Sequence, residues 1–403
     1  MELFDTLRGQ KATLEIPTDR PLTMYVCGVT PYDTTHIGHA RTFLIFDVLQ
    51  RYLRSQGATV RYCQNTTDVD DPLFARAKRD GIEWADLAAR ETAQFVKDCA
   101  DMHLIAPDFF PKASDFIPQM IPIIARLIEL DQAYAVDGHV YFSVATEPTY
   151  GEMAWLGGYA ELLATANERG NDPDDMRKRD PLDFVLWQTG KDDEPKWASP
   201  WGMGRPGWHI ECTAMSTHYL GNQLDIHGGG RDLIFPHHPS EIVQTEPVTG
   251  IRPFARFWVH GGLAWLDGAK MSKSLGNLVF VRHAVVTHGP DVLRWYLMSF
   301  PYRDDFNYIE ADVQAIHATI DRMRQALGAT SGLGAALDLA EQRAEFLAAL
   351  ADSLDTPRAL VALAAMIDAI RAAAAQGASL TAAQDVLRDC ATIFGFPAAG
   401  AGR

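Results

Sequence analysis

The chain has 403 residues, of which 47% are hydrophobic and 22% charged, and its 36 Lys and Arg against 52 Asp and Glu give a formal net charge of −16. That length predicts two or three domains, and the composition excludes disorder, collagen and coiled coil. The acidic balance leaves no basic footprint at whole-chain level, so DNA is not an expected partner and any nucleic acid would need a local basic patch.

The most apolar stretch, 116–130, is broken by Pro, Arg and Glu and falls short of the roughly 18–20 residues a membrane span needs. No basic region followed by an apolar core opens the chain, so no signal peptide is expected. Cys27, Cys63, Cys99, Cys212 and Cys390 are odd in number and far apart, which favours reduced thiols in a cytoplasm over a disulfide framework.

Residues 22–30, LTMYVCGVT, are apolar and β-branched and run into Gly28, the pattern of a buried strand and a turn. Apolar residues at helical spacing over 40–56 end before Gly57, a glycine C-cap. Residues 59–64 read as the next strand. Strand, glycine turn, helix and strand make a βαβ unit and predict an α/β fold with a parallel sheet. Residues 72–132 read as helical throughout, and 139–144 as a strand inside an irregular insert reaching about 205. Residues 206–281 read as a second strand-rich block, dense in Gly, His and Trp. Helical periods at 311–327, 338–352, 357–375 and 381–395 predict a bundle with short loops, joined through a flexible Gly328–Gly334.

Two short motifs carry chemistry. His36-Ile37-Gly38-His39 follows a strand and opens a helix. Its histidines share one face of a turn, and the helix N-terminus offers free N–H groups and partial positive charge to phosphate oxygens. Gly38 lets a flat ring approach the backbone. Two histidines that merely cap a helix are the plain alternative. Lys270-Met271-Ser272-Lys273-Ser274 puts two mobile charges on a short loop, where they could clamp a triphosphate and meet the charge of a departing pyrophosphate. A solvated basic loop is the plain alternative.

With these motifs the chain resembles class I aminoacyl-tRNA synthetases. Within them it is similar to the cysteinyl-tRNA synthetases and to their relatives, the cysteine ligases of mycothiol synthesis. The resemblance rests on MYVCGVTPYD at 24–33, HIGHARTF at 36–43, TDVDD at 67–71, DPLDFVLW at 180–187, SPWGMGRPGWHIEC at 199–212, DIHGGG at 225–230, DLIFPHH at 232–238 and KMSKSLGN at 270–277. It implies a Rossmann-like parallel core at 1–114 and 206–290 and an inserted acceptor-side subdomain at 115–205. A KMSKS-following region and helical bundle at 291–403 would complete the chain, with no anticodon-binding domain. ATP, with Mg²⁺, would lie at the carboxyl ends of the strands.

Residue by residue, the resemblance implies catalysis by His36, His39, Lys270 and Lys273, with Lys273 holding phosphates most directly. Gly28, Thr30, Gly38, Thr42 and Asp232 would line the ATP or adenylate site, and Gly228, Gly229 and Gly230 would let adenosine lie against backbone. Cys27, Thr67 and Trp208 would form the cysteine pocket, Trp208 as its wall. The family's zinc ligands match Cys27, Cys212, His237 and Glu241 one by one. The i, i+4 spacing puts His237 and Glu241 on one helix face, and the cysteines read as one on an early strand and one on a late strand. Such an N/S/O set suits Zn²⁺. From the residues alone, two cysteines so far apart read as buried packing. A metal serves a need here, because packing separates serine from cysteine weakly, whereas a thiolate binds a metal as a neutral hydroxyl does not.

Cys63, Cys99 and Cys390 read as packing residues, His103, His218, His283 and His288 as surface or structural, and the acidic run 172–175 as a solvated face. The implied reaction is activation of L-cysteine with ATP to cysteinyl-adenylate and pyrophosphate. Glu241, His227, KMSKSLGN and the segment 292–308 point to tRNA-Cys as acceptor. TDVDDPLFARA at 67–77 and the end of the chain at 403 point instead to the amine of glucosaminyl-inositol. The tRNA reading is adopted, with the amino sugar as alternative. A binding module that keeps only the fold is disfavoured by the intact HIGH and KMSKS elements. Arg231, Pro239 and Ser240 depart from the family pattern. Lys273→Ala is expected to slow adenylate formation more than it weakens cysteine binding, read by pyrophosphate exchange at varied cysteine concentration.

Overall fold

The structure is a computed structural model that describes residues 1–32, 35–155, 158–191, 193–266, 268–271 and 276–396. Its core is a four-stranded parallel sheet in the order Ala255–Gly261, Leu224–Gly230, Leu22–Val29, Val60–Thr66. The Leu22–Val29 strand is buried along nearly its whole length, as parallel strands covered on both faces are. The signature helix Ile37–Ser55 packs on one face, and the Trp208–Leu220 helix packs against Leu22–Val29 and Val60–Thr66. In chain order the sheet grows one way from its first strand and then the other way. This opens a crevice at the carboxyl ends between Leu22–Val29 and Leu224–Gly230, where open α/β sheets bind ligands.

Two sequence expectations are corrected. Residues 206–281 are not mainly strand, because the helices Trp208–Leu220 and His237–Thr249 alternate with the two strands. Both helices bury residues all round, so neither shows an amphipathic period. The helical reading of 72–132 also fails at 102–112, where Pro107 and Pro111 cannot continue a helix. That segment runs beside Val60–Thr66, with Asp108 N donating to Tyr62 O at 2.9 Å, Gln64 N to Phe109 O at 3.0 Å and Thr66 N to Pro111 O at 2.9 Å.

The insert is an antiparallel sheet in the order Ala133–Val136, His139–Phe142, Phe184–Thr189, Gly202–Pro206, Trp197–Ser199. A small sheet of Ala269–Lys270, Ala264–Leu266 and Phe306–Tyr308 follows the core. Helices Glu310–Gly328, Ala340–Ala351, Thr356–Ala375 and Thr381–Ile393 form the bundle. The glycine join before the second of these is tied down rather than loose: Gly332 N donates to Ala378 O at 2.8 Å and Gly334 N to Gly377 O at 2.9 Å. Among the described residues no helix is long and apolar enough to cross a membrane.

Two buried arginines join these parts. Arg41, on the signature helix, donates to the carbonyls of Leu297, Phe300 and Pro301 at 3.0, 3.3 and 2.7 Å and lies 4.6 Å from the Phe306 ring. Arg294 donates to Phe394 O, to Met102 O and to Asp47 Oδ2, the last at 2.5 Å, so it ties the end of the bundle to the core. Asp47 also accepts from Arg51 at 2.9 Å and from Ile105 N at 2.8 Å. Asp47→Ala would strand a buried guanidinium and is expected to cost about 3–5 kcal/mol, measured as a lower urea midpoint at unchanged slope.

Candidate functional site

Four donors meet below the crevice. Cys27 comes from the end of Leu22–Val29, Cys212 from the Trp208–Leu220 helix, and His237 and Glu241 from successive turns of His237–Thr249. Cys212 is therefore on a helix and not on a late strand. All four are buried, and their ligand atoms lie within 4.8 Å of one another. Cys27 Sγ is 3.7 Å from Cys212 Sγ and 3.7 Å from Glu241 Oε1, while His237 Nε2 is 3.4 Å from Cys212 Sγ and 3.2 Å from Glu241 Oε1. A tetrahedron built on ordinary zinc bonds has edges of about 3.8 Å between sulfurs, about 3.6 Å from sulfur to nitrogen or oxygen, and about 3.4 Å from nitrogen to oxygen. The donor set thus fits a tetrahedral dication.

A second buried quartet, Cys27, His227, His238 and Glu241, is equally compact, but its bonds mark His227 and His238 as supports of the first. His227 Nε2 lies 2.9 Å from the other oxygen of Glu241, Oε2. His209 Nδ1 lies 2.9 Å from His237 Nδ1, and the Trp208 ring stacks on His237 at 4.3 Å. His238 Nε2 lies 3.4 Å from Cys27 Sγ, its Nδ1 is 2.7 Å from His260 Nε2, and His260 Nδ1 is 2.8 Å from Thr6 Oγ1. One set of neutral tautomers satisfies this chain: Thr6 donates to His260, His260 to His238, and His238 to the Cys27 sulfur. Glu241, His237 and Cys27 thus each have a supporting partner behind them, as metal ligands generally do. Sequence reasoning missed His209, His238 and His260 as site residues. The available signal was the histidine density of 206–281, where six of thirteen fall.

Burial dominates the electrostatics. It pushes the Cys27 thiol and the Glu241 carboxyl well above their ordinary values, with Cys212 and Glu241 raising Cys27 further. It drives His237 and His238 well below theirs, and His209, His227 and His260 down to about 3. The histidines are therefore neutral, as ligands and donors must be. The Cys27 thiol and the Glu241 carboxyl give up their protons only to a cation that replaces them.

Above this centre lies a cavity of about 870 Å³ between core and insert. Cys27 forms part of its lining, with Trp208, His39, Gly28, Thr30 and Thr42 from the core. Gly230 and Asp232 line it from the turn after the Leu224–Gly230 strand, and Arg169 of the insert reaches Asp232 at 3.7 Å. His36 caps the signature helix, its Nδ1 accepting from Gly38 N at 3.1 Å, and its ring stacks on His39 at 3.8 Å. The ring that approaches Gly38 is thus that of His36, 2.8 Å from where a Cβ would stand.

Three expected contacts differ. Gly228 does not line the cavity: a Cβ there would fall 2.2 Å from the buried Phe46 ring, so it serves helix packing. Gly229 faces Leu233 in the same way. Thr67 is buried, accepting from Asn65 Nδ2 at 3.3 Å, and does not line the cavity. The acidic run is solvent-exposed at Asp172 and Asp174, as expected of a solvated face, but Asp172 also lines the cavity rim, and Asp175 is half-buried there, accepting from Tyr141 at 2.5 Å and from Arg177 at 2.7 Å. Arg231 pairs with Asp305 at 2.9 Å and donates to Arg303 O, tying the turn after Leu224–Gly230 to the segment before Phe306–Tyr308. Ser240 donates to Pro236 O at 2.7 Å and meets Tyr150 OH at 3.2 Å. Lys270 is described in its backbone, paired with Trp265, and Lys273 lies outside the described residues.

Residues 13–318 match the family described as tRNA synthetases class I (C) catalytic domain. The chain belongs to that family. It is 46% identical over 342 residues, covering 84% of this chain and 81% of the other, to an L-cysteine:1D-myo-inositol 2-amino-2-deoxy-alpha-D-glucopyranoside ligase of Frankia alni. It is 38% identical over 399 residues, covering 98% of this chain and 86% of the other, to a cysteine–tRNA ligase of Dehalococcoides mccartyi. The fold is that of class I synthetases: Mycobacterium tuberculosis methionyl-tRNA synthetase, 17% identical, superposes with a TM-score of 0.65 over 93% of this chain and 89% of that one. Family membership makes the protein an ATP-dependent ligase. His227→Ala, which frees the second oxygen of Glu241, is expected to weaken zinc binding about 10–100-fold, and Cys212→Ser by more, both measured by chelator competition.

Proposed function

We propose that the protein activates L-cysteine with ATP and Mg²⁺ at a zinc centre held by Cys27, Cys212, His237 and Glu241, and transfers the cysteinyl group to tRNA-Cys. The observation that carries this reading is the tetrahedral spacing of the four donors under a cavity that Cys27 shares with His39 and Trp208. A zinc ion bound there supplies a partner for the substrate thiolate that serine's hydroxyl cannot match at neutral pH. Trp208, stacked on His237, closes the pocket side and excludes water. The signature-helix N-terminus and His39 orient the phosphates. Asp232 and Gly230 take the nucleoside once Asp232 releases Arg169. Lys270 and Lys273 meet the departing pyrophosphate, where added positive charge lowers the barrier.

Glu241 as a fourth donor supports tRNA-Cys as acceptor, since the resemblance associates that carboxylate with the synthetases. The 46% identity to a ligase named for an amino-sugar acceptor favours a second reading, transfer to the amine of glucosaminyl-inositol. The deciding experiment follows AMP release with cysteine, ATP and Mg²⁺ as each acceptor is added. AMP release with tRNA together with acid-precipitable cysteine is the expected result, and turnover with the amino sugar alone establishes the second reading. In pyrophosphate exchange serine is expected to be at least about 10⁴-fold poorer than cysteine, and Cys212→Ser to abolish the cysteine signal while ATP binding persists.

A further inference from the structure

The transfer step has a proton to place. Attack on the cysteinyl carbonyl turns an acceptor hydroxyl into an ester oxygen, so some group must take its proton. Asp70 lines the cavity just past the Val60–Thr66 strand. Its Oδ1 caps the Asp71–Asp80 helix by accepting from Asp71 N at 2.9 Å, and its Oδ2 accepts from Thr30 Oγ1 at 3.1 Å. Among the described residues no cation pairs with it at ion-pair distance. Its neighbour Asp71 takes the local cations instead, with Arg205 at 2.6 Å and Lys191 at 3.4 Å.

Asp70 stands on the cavity wall at the seam where Arg205 of the insert meets the core through Asp71. It is reached from Cys27 through Gly28 and Val29 to Thr30, from whose hydroxyl it accepts, so it lies on the same wall as the proposed cysteine pocket, beyond the four-donor centre.

We propose that Asp70 orients the acceptor's nucleophilic hydroxyl and takes its proton during transfer. The proposal rests on the reading above, that a cysteinyl-adenylate forms in this cavity. An oxygen lone pair of the acceptor forms the bond to the carbonyl carbon. The bond from that carbon to the adenylate oxygen breaks, and its electron pair leaves on AMP. The hydroxyl proton passes to the Asp70 carboxylate.

The charged groups facing Asp70 are Asp71 on its own helix, Arg205 from the Gly202–Pro206 strand and Glu211 from the Trp208–Leu220 helix. Burial outweighs the Thr30 hydrogen bond and Arg205 and raises the carboxyl to about 6. It is thus ionised at neutral pH and still basic enough to be useful.

The test is single-turnover transfer from preformed cysteinyl-adenylate, with tRNA-Cys in one arm and glucosaminyl-inositol in the other, beside pyrophosphate exchange on the same protein. Asp70→Asn keeps the helix cap, because Asn caps as well as Asp. It is expected to slow transfer at least about 100-fold, to abolish the wild-type rise in transfer rate through pH about 6, and to cost exchange far less. Asp70→Glu, which retains a carboxylate, is expected to restore transfer in part. Transfer by Asp70→Asn as fast as wild type overturns the proposal. So does a raised cysteine KM in exchange with transfer otherwise intact, which would make Asp70 the partner of the α-ammonium. Loss of wild-type exchange removes the underlying reading as well, and so is distinguishable from failure of the Asp70 assignment alone.

Discussion

Two thiols, an imidazole and a carboxylate packed 3.2–3.7 Å apart in a dry interior form an arrangement a protein cannot hold charged by itself. Burial favours the protonated forms of Cys27 and Glu241 and the neutral imidazole of His237, and a bound dication reverses that preference at the two acids. The rest of the fold serves to make the four atoms meet. Cys27 must sit at the carboxyl end of the first core strand, Cys212 on the helix beneath it, and His237 and Glu241 on the helix after the third. That convergence follows from the strand order, in which the third strand pairs with the first rather than with the second. Rearranging the sheet would separate the thiols even with every residue retained.

A second demand is that the signature-helix end of the cavity keep a fixed relation to the four-donor end. The signature helix is fastened to the segment before Phe306–Tyr308 by Arg41, whose guanidinium is buried among carbonyls and aromatic rings. Arg231 adds a fastening from the turn after Leu224–Gly230 to the same segment. This accounts for a residue that the sequence pattern leaves unexplained. The strand bearing Lys270 pairs into the sheet that Phe306–Tyr308 completes, so the backbone at Lys270 is tied to the segment that Arg41 and Arg231 both grip.

The parallel core was legible because its first strand is a continuous apolar run ending in glycine and its first helix carries a clear apolar stripe. The bundle was legible for the same reason, with helix ends within three residues of expectation. The block 206–281 was not, since residues 209–216 are all buried, polar ones among them, and a helix buried on every side has no apolar stripe to detect. The metal donors were legible only through resemblance, because Cys27 and Cys212 are 185 residues apart. The histidines behind them were hidden for a different reason. His209, His238 and His260 acquire their meaning from what they touch, and no spacing along the chain encodes it. Gly228 shows the opposite error, a motif glycine whose reason is the Phe46 ring and not a ligand.

The closeness of Cys27 and Cys212 has a consequence for redox chemistry. Two free thiols with sulfurs 3.7 Å apart need close by less than about 2 Å to reach covalent length. A bound cation occupies the lone pairs that an oxidant would attack, so coordination and cross-linking compete for the same two atoms. Without a cation and in air, the two thiols are poised to become a disulfide, and a cation bound there would protect the site as well as serve it.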